Sequence, residues 1–441
     1  MNKKRFKTKK MFPKIYLIAF FSFGMISIYA QDTLVLSLDS AIDYALDHNK
    51  QLINSRFTVD ASVQKIKASI AQGLPQASAT LDYTNYMGAE AQLQMNPSAP
   101  PVTIEFNPTS NFRASVSQLV FSGSYYVGLK LAKLANKVSE QNYQKDILDV
   151  KEQTIQAYYM ILITQKLIDI LKENRANSQI TFKKTNDLAN AGVIEKTDAK
   201  KLSVMVASID NALKSTERQL ELGYNILRLQ LGLKPEQAIT LSSKLADIQE
   251  KYIQPAFLTN NFNIQNNLDY QLVLLQNQMA EKQVLLKKSS FLPTIVASYS
   301  YTEKIKKPLF DITPKNMIGL TLSVPILSGG QRLAEVKQAK INYDIARNTK
   351  ALLTDQLTMT EKQLRFNYNN LLEQFENQKM NVNVAKDVLD HMNLKYKQGL
   401  VSSLDLTSAN NDYLTAQLNY FSAMIKLLNA ELALLKINNN L

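Results

Sequence analysis

Two stretches of about 66 residues, 125 to 190 and 331 to 396, contain no Pro and are rich in helix formers. At about 1.5 Å of rise per residue, each predicts a rod roughly 100 Å long. A compact domain of ordinary size has no room for such a rod, so the chain must build something elongated. Each rod follows a Ser-Gly turn, "FSGS" at 121 to 124 and "LSGG" at 327 to 330. Each ends at a tip where a lone Gly precedes two apolar residues, "NAGVIEKTDA" at 190 to 199 and "KQGLVSSLDL" at 397 to 406.

Shorter helices are predicted to return from the tips over about 197 to 231 and 404 to 435. They carry apolar residues at heptad spacing, Val206, Leu213, Leu220 and Leu227 in the first and Leu414, Phe421, Leu428 and Leu435 in the second. Such stripes belong to helices packed as coiled coils. Two further short helices, about 38 to 72 and 262 to 290, complete the set. The two short helices of each half together match the long one in length, which predicts one long helix beside two stacked short ones.

Four segments break this texture with a period of two: near 75 to 86, 112 to 121, 293 to 302 and 317 to 327. In the first, Ala77, Ala79, Leu81 and Tyr83 alternate with Ser78, Thr80, Asp82 and Thr84. About ten residues with one apolar and one polar face is the length of a tilted strand crossing a bilayer. Four strands cannot close a barrel around water, and an open edge is not tolerated in lipid. Transmembrane strands would therefore have to be shared among several chains. Between the paired strands, residues 87 to 111 carry Pro97, Pro100, Pro101 and Pro108, and residues 303 to 316 carry Pro308 and Pro314, which predicts loops without helix or strand.

The halves read as copies, about 36 to 231 and 262 to 435, joined by a linker over 232 to 261. Gly192 and Asp198 stand 207 positions before Gly399 and Asp405. The linker is expected to wrap the junction of the short helices. Residues 1 to 30 have a basic start, an apolar run of 16 residues and Ala30 before the expected cut, the pattern of a secretory signal peptide. That segment holds seven Lys or Arg and no acid, so its removal lowers the formal charge from +13 to +6. The remainder, 31 to 441, is mildly basic, and no basic block with interleaved aromatics points to nucleic acid.

No Cys is present, which excludes disulfides and thiolate metal sites. His48 and His391 lack nearby carboxylates at ligand spacing and read as surface histidines. There is no nucleophile with a base and no phosphate-cradling Gly loop, so neither an enzyme nor a cofactor is expected. The strand tyrosines Tyr83, Tyr86, Tyr299 and Tyr301 read as interface anchors of a barrel.

The opening "LSLDSAIDYALDHNKQL" (36 to 52), with an Asn in its middle, the duplicated strand hairpins and the Gly-containing tips together resemble the TolC-like outer-membrane efflux family, over essentially all of 31 to 441. The resemblance implies a mainly α fold with a transmembrane β-barrel. Long antiparallel coiled-coil helices would form a periplasmic α-barrel, and four strands per chain would contribute to one twelve-stranded barrel in a homotrimer. It implies passage without chemistry, from an inner-membrane transporter of the RND or ABC type through a periplasmic adaptor to the exterior. Type I protein secretion is an alternative cargo route, and a secreted coiled-coil scaffold without a pore is an alternative of another class.

The tips themselves read as helical turns, with Gly192 and Gly399 as left-handed helix ends and Ser402 with Asp405 at capping-box spacing. The resemblance implies that Gly192, Val193, Ile194, Gly399, Leu400, Val401 and Ser402 dock the adaptor. It likewise implies that Asp405, Ser408, Tyr396 and Asp198 form a periplasmic gate. The chain departs from the family where Ser408 replaces a second acid and Val401 an Arg, so a weaker Asp405 ring is expected, without a salt-bridge latch.

Overall fold

The computed structural model describes residues 33–441 apart from 95–96, 98–99, 253–261 and 308–311. The expected signal segment, Pro308 and the end of the expected linker lie outside the described residues.

The chain opens with β1 (Leu34–Leu36) and α1 (Leu38–His48), continues through α2 (Lys50–Ala71), and enters β2 (Gln76–Thr84). A short hairpin follows, β3 (Glu90–Leu93) and β4 (Val102–Glu105), before β5 (Thr109–Ser122) leads into α3 (Gly123–Asn190) and α4 (Lys196–Gln230). Next come β6 (Ile239–Leu241), α5 (Leu245–Tyr252), α6 (Leu268–Ser289), β7 (Thr294–Lys306), β8 (Asn316–Ser323), α7 (Gln331–Lys397) and α8 (Ser403–Ile437). α3 has 68 residues and α7 has 67, each about 100 Å of helix.

The sequence expectation of one helix over 38 to 72 is corrected, because the chain breaks at Asn49, whose ψ of 124° is extended. The Asn49 amide oxygen accepts from the N–H groups of Gln51 and Leu52, capping α2. Its Nδ2 donates to the Gln230 carbonyl at the end of α4, at 2.8 Å. Asn267 repeats the arrangement: it caps α6 through the Tyr270 N–H and donates to the Ile437 carbonyl at the end of α8, at 2.9 Å. Each Asn is 5% exposed and joins the end of a returning helix to the start of another. Stacked columns α2/α4 and α6/α8 result.

α3 packs against α2 and α4 and also against α6 and α8, while α7 packs against α6 and α8. The columns thus stand in the order α2/α4, α3, α6/α8, α7. The main sheet is antiparallel in the order β2-β5-β7-β8. Each strand continues the column it is covalently joined to, so strands and helices share one order.

Register aligns the alternation of all four strands. One row holds Ala77, Val116, Tyr299 and Ile318, and the next holds Ser78, Ser115, Ser300 and Met317. Apolar side chains thereby gather on one face, where Leu81, Ile318, Leu320 and Leu322 are all at least 60% exposed. On the other face the Ser78 and Ser115 hydroxyls are 3.0 Å apart.

Three sequence expectations near the sheet are corrected. The proline-rich stretch 87 to 111 contains the β3–β4 hairpin, because Pro97, Pro100 and Pro101 are confined to its turn and leave both strands with their N–H groups. β7 runs through Lys306 into the expected loop, held by β5 up to Ser110. β8 stops at Ser323 and not near 327, just before Pro325, which has no N–H to give a ladder.

The thickest packing lies around mid-length of α3. There Tyr158 is fully buried, donates its hydroxyl hydrogen to the Leu36 carbonyl at 3.0 Å, and accepts from the Ser243 N–H at 3.2 Å. β1 and β6 pair in parallel around this anchor. The segment after α4 is therefore structured, with β6 and α5 within it.

Candidate functional site

The tips are built by one backbone device used twice. At the end of α3, Gly192 has φ of +77°, its N–H donates to the Ala189 carbonyl, and the Val193 N–H reaches back to the Leu188 carbonyl at 3.0 Å. At the end of α7, Gly399 has φ of +76°, with the same closure from Gly399 to Tyr396 and from Leu400 to Lys395. Among the described residues, no atom would crowd a Cβ at either position. The need for Gly here is thus the left-handed backbone and not crowding. Val193 and Leu400 are left 67% and 69% exposed, while Ile194 and Val401 are half-buried.

The next helices start differently. Ser402 caps α8: its hydroxyl accepts from the Asp405 N–H at 3.1 Å, and the Asp405 carboxylate accepts from the Ser402 N–H and hydroxyl at 3.0 and 2.7 Å. These two donors hold the exposed Asp405 below the ordinary carboxylate pKa, the hydroxyl first and the backbone N–H second. Glu195, which precedes α4, makes no side-chain capping bond among the described residues, and Asp198 sits half-buried in the first turn. The sequence echo between the tips therefore does not extend to their capping chemistry.

The four residues expected at the gate do not form one bonded cluster within a chain. Asp405 bonds Ser402, and Ser408 lies exposed on the next turn of α8. Tyr396 lies under the Lys184 ammonium of α3, 4.9 Å from its ring centre. Tyr396, Lys184, Ser178, Asn393, Thr407 and Asn410 line a groove of about 360 Å³ between α3, α7 and α8. Sequence reasoning missed Lys184, because nothing in the local pattern of α3 distinguishes it from the other lysines there.

Each histidine is engaged with its own helix. His48 Nδ1 is 3.1 Å from the Tyr44 carbonyl and stacks on that ring, and His391 Nδ1 is 2.7 Å from the Asp387 carbonyl. Among the described residues, no group of His, Asp and Glu is arranged to hold a metal ion, and no helix is long and apolar enough to cross a membrane.

A family model described as outer membrane efflux protein matches residues 41–233 and 263–440, most of the chain and both tips. The chain belongs to the outer membrane efflux protein family. This outer membrane efflux protein is 24% identical over 424 residues to outer membrane protein TolC of Escherichia coli, covering 89% of this chain and 82% of that one. It is 23% identical over 407 residues to TolC of Salmonella enteritidis, with 88% and 80% covered. Its fold is similar to the Campylobacter jejuni CmeC outer membrane channel, with a TM-score of 0.73 at 15% identity, covering 91% of this chain and 85% of that one. The protein is an outer-membrane efflux channel that sits in the outer membrane and extends into the periplasm. The reading as a secreted scaffold without a pore falls with that membership.

Proposed function

We propose that three copies of this outer membrane efflux protein close into one tube, which receives substrates from an inner-membrane transporter through a periplasmic adaptor and releases them outside. In this reading residues 1–30 direct export and are removed, and two repeats, 36–231 and 262–435, each supply a strand pair and a helical hairpin. The observation that carries it is the common order of strands and helical columns. Among the described residues of one chain, β2 and β8 each have a single neighbour in the main sheet. The columns below them, α2/α4 and α7, likewise stand at the two ends of the row.

Apolar residues mark these outer columns. On α7, Leu352, Met359 and Phe366 are spaced by seven and are 53%, 71% and 73% exposed; on α4, Val204, Leu222 and Leu229 are exposed. Joining β8 and α7 of one copy to β2 and α2/α4 of the next removes both sheet edges and covers both stripes. Three repetitions give twelve strands, with the Ser and Thr face lining the pore and the apolar face in lipid.

The tips take the adaptor, with Val193 and Leu400 as apolar contacts beside Gly192, Ile194, Gly399, Val401 and Ser402. The same end narrows the pore, where Asp405 from three copies surrounds the axis, Ser408 lies one turn further, and Tyr396 and Asp198 set the helix positions. Lys184 over Tyr396 supports a tie between the hairpins that needs no Arg at position 401. The tube passes its cargo without chemistry. Small-molecule efflux is the leading task, and the same tube serves type I secretion.

A photo-crosslinking residue at position 402 tests this in cells. Capture of an adaptor associated with a small-molecule transporter is expected. Capture of an adaptor associated with a protein-secreting ATPase would move the cargo to secretion, and failure to capture any periplasmic protein would contradict the docking assignment.

A further inference from the structure

Glu431 of α8 is 2% exposed, and neither of its carboxyl oxygens has a hydrogen-bond partner among the described residues. Its neighbours along the helix, Leu427, Leu428 and Leu432, are packed into the core. It stands beside Tyr368 of α7, fully buried, whose phenol is pushed up to about 12 by burial first and by the Glu431 carboxylate second. Glu431, Tyr368, Arg365 and Asn438 help line a cavity of about 30 Å³, room enough for a water.

Other charges nearby are engaged. On α7, Arg365 donates to Glu361 of its own helix, Nε to Oε1 at 2.9 Å. On the α3 side, Lys436 of α8 pairs with Asp149 and Glu152, both at 2.6 Å. Burial alone pushes the Glu431 carboxyl up to about 8, with no contribution from these charges. An acid enclosed this way is stable in the packed seam only in its neutral form.

We propose that Glu431 is a proton-binding site built into the seam between α7 and α8, neutral while the helices are packed and a wedge that opens the seam when it ionises. The released proton passes to solvent through water in the adjoining cavity.

The sign follows from linkage. In an opened seam the side chain meets water and titrates near 4.5, whereas packed it holds its proton up to about 8. Below pH 4.5 both forms are protonated and the seam is at full strength. Between those values opening releases a proton, so the seam weakens by up to about tenfold per pH unit, and above pH 8 the weakening is complete.

Hydrogen exchange on the full-length protein in detergent tests this, with amides of residues 427 to 435 compared between the native protein and Glu431→Gln at equal pH. The variant keeps the shape and removes the titration. The ratio of protection, variant over native, should rise with pH from 5 to 8 and then level off. A ratio independent of pH would overturn the proposal. Infrared difference spectra give a second, direct reading: at pH 7 Glu431→Gln should remove a protonated-carboxyl band, and persistence of every such band would equally overturn it.

Discussion

Asn49 and Asn267 do at two joints what no apolar residue could do, because each satisfies orphaned groups of two helices at once. The side-chain oxygen caps the helix that starts, and the side-chain nitrogen takes a carbonyl of the helix that ends. Asn267→Ala should therefore cost about 2–3 kcal/mol, about 1 for the cap and the rest for the carbonyl left without its donor. Denaturant unfolding of the purified protein reads this loss. Gly232 sets a tighter limit at the first joint: its φ is +68°, and a Cβ there would lie 2.2 Å from the His48 carbonyl oxygen. Gly232→Ala should lower the unfolding midpoint, whereas Gly128→Ala, where a Cβ meets no atom of the described residues within 4 Å, should leave it unchanged or raise it. At the tip, the Ser402 donors favour the charged form of Asp405. In the proposed trimer three Asp405 carboxylates meet near the axis and would hold divalent cations there, so block of conductance by divalent cations should be lost in Asp405→Asn, as planar-bilayer recordings would show. Asn49 was legible as part of a family pattern over residues 36 to 52, but its task was not, since its partner carbonyl lies 181 residues away.

At the scale of the element, Pro-free runs of helix formers located the long helices to within a few residues. Periodicity failed where a single residue decides. The apolar pattern runs on through Asn49, so the break between α1 and α2 is silent in periodicity. The prolines of 87 to 111 were read as excluding strands, although they occupy only a turn and its flanks. The two tips were legible as Gly-closed turns, while their unequal capping depends on one position, Glu195 against Ser402. This inequality has a measurable consequence. Ser402→Ala should destabilise the first turn of α8 by about 1 kcal/mol, and Glu195→Ser should stabilise that of α4 by up to a similar amount. Local hydrogen exchange at residues 196 to 200 and 403 to 407 would resolve both changes. Lys184 shows the limit of reading elements singly, because its position over Tyr396 arises only when α3 and α7 are packed.

Over the whole molecule, the sequence implied a shared barrel from a simple conflict: four strands of membrane-crossing length, and no way for four to close. The structure sharpens that conflict, since an open sheet rests on an open row of helical columns in the same order. Both rows end at the same two sides. The account's central claim is that β8 of one copy pairs with β2 of the next until three copies close. The chain has no Cys of its own, so introduced pairs report without background. Leu320→Cys should be combined in turn with Ala77→Cys, Ala79→Cys and Leu81→Cys, residues of the same sheet face on the two outer strands. Oxidation in outer membranes should convert at least one of these pairs into a covalent three-chain species on denaturing gels, and no single-Cys variant should do so. Absence of crosslinks from every pair, or pairs that stop at two chains under complete oxidation, would contradict the closed trimer.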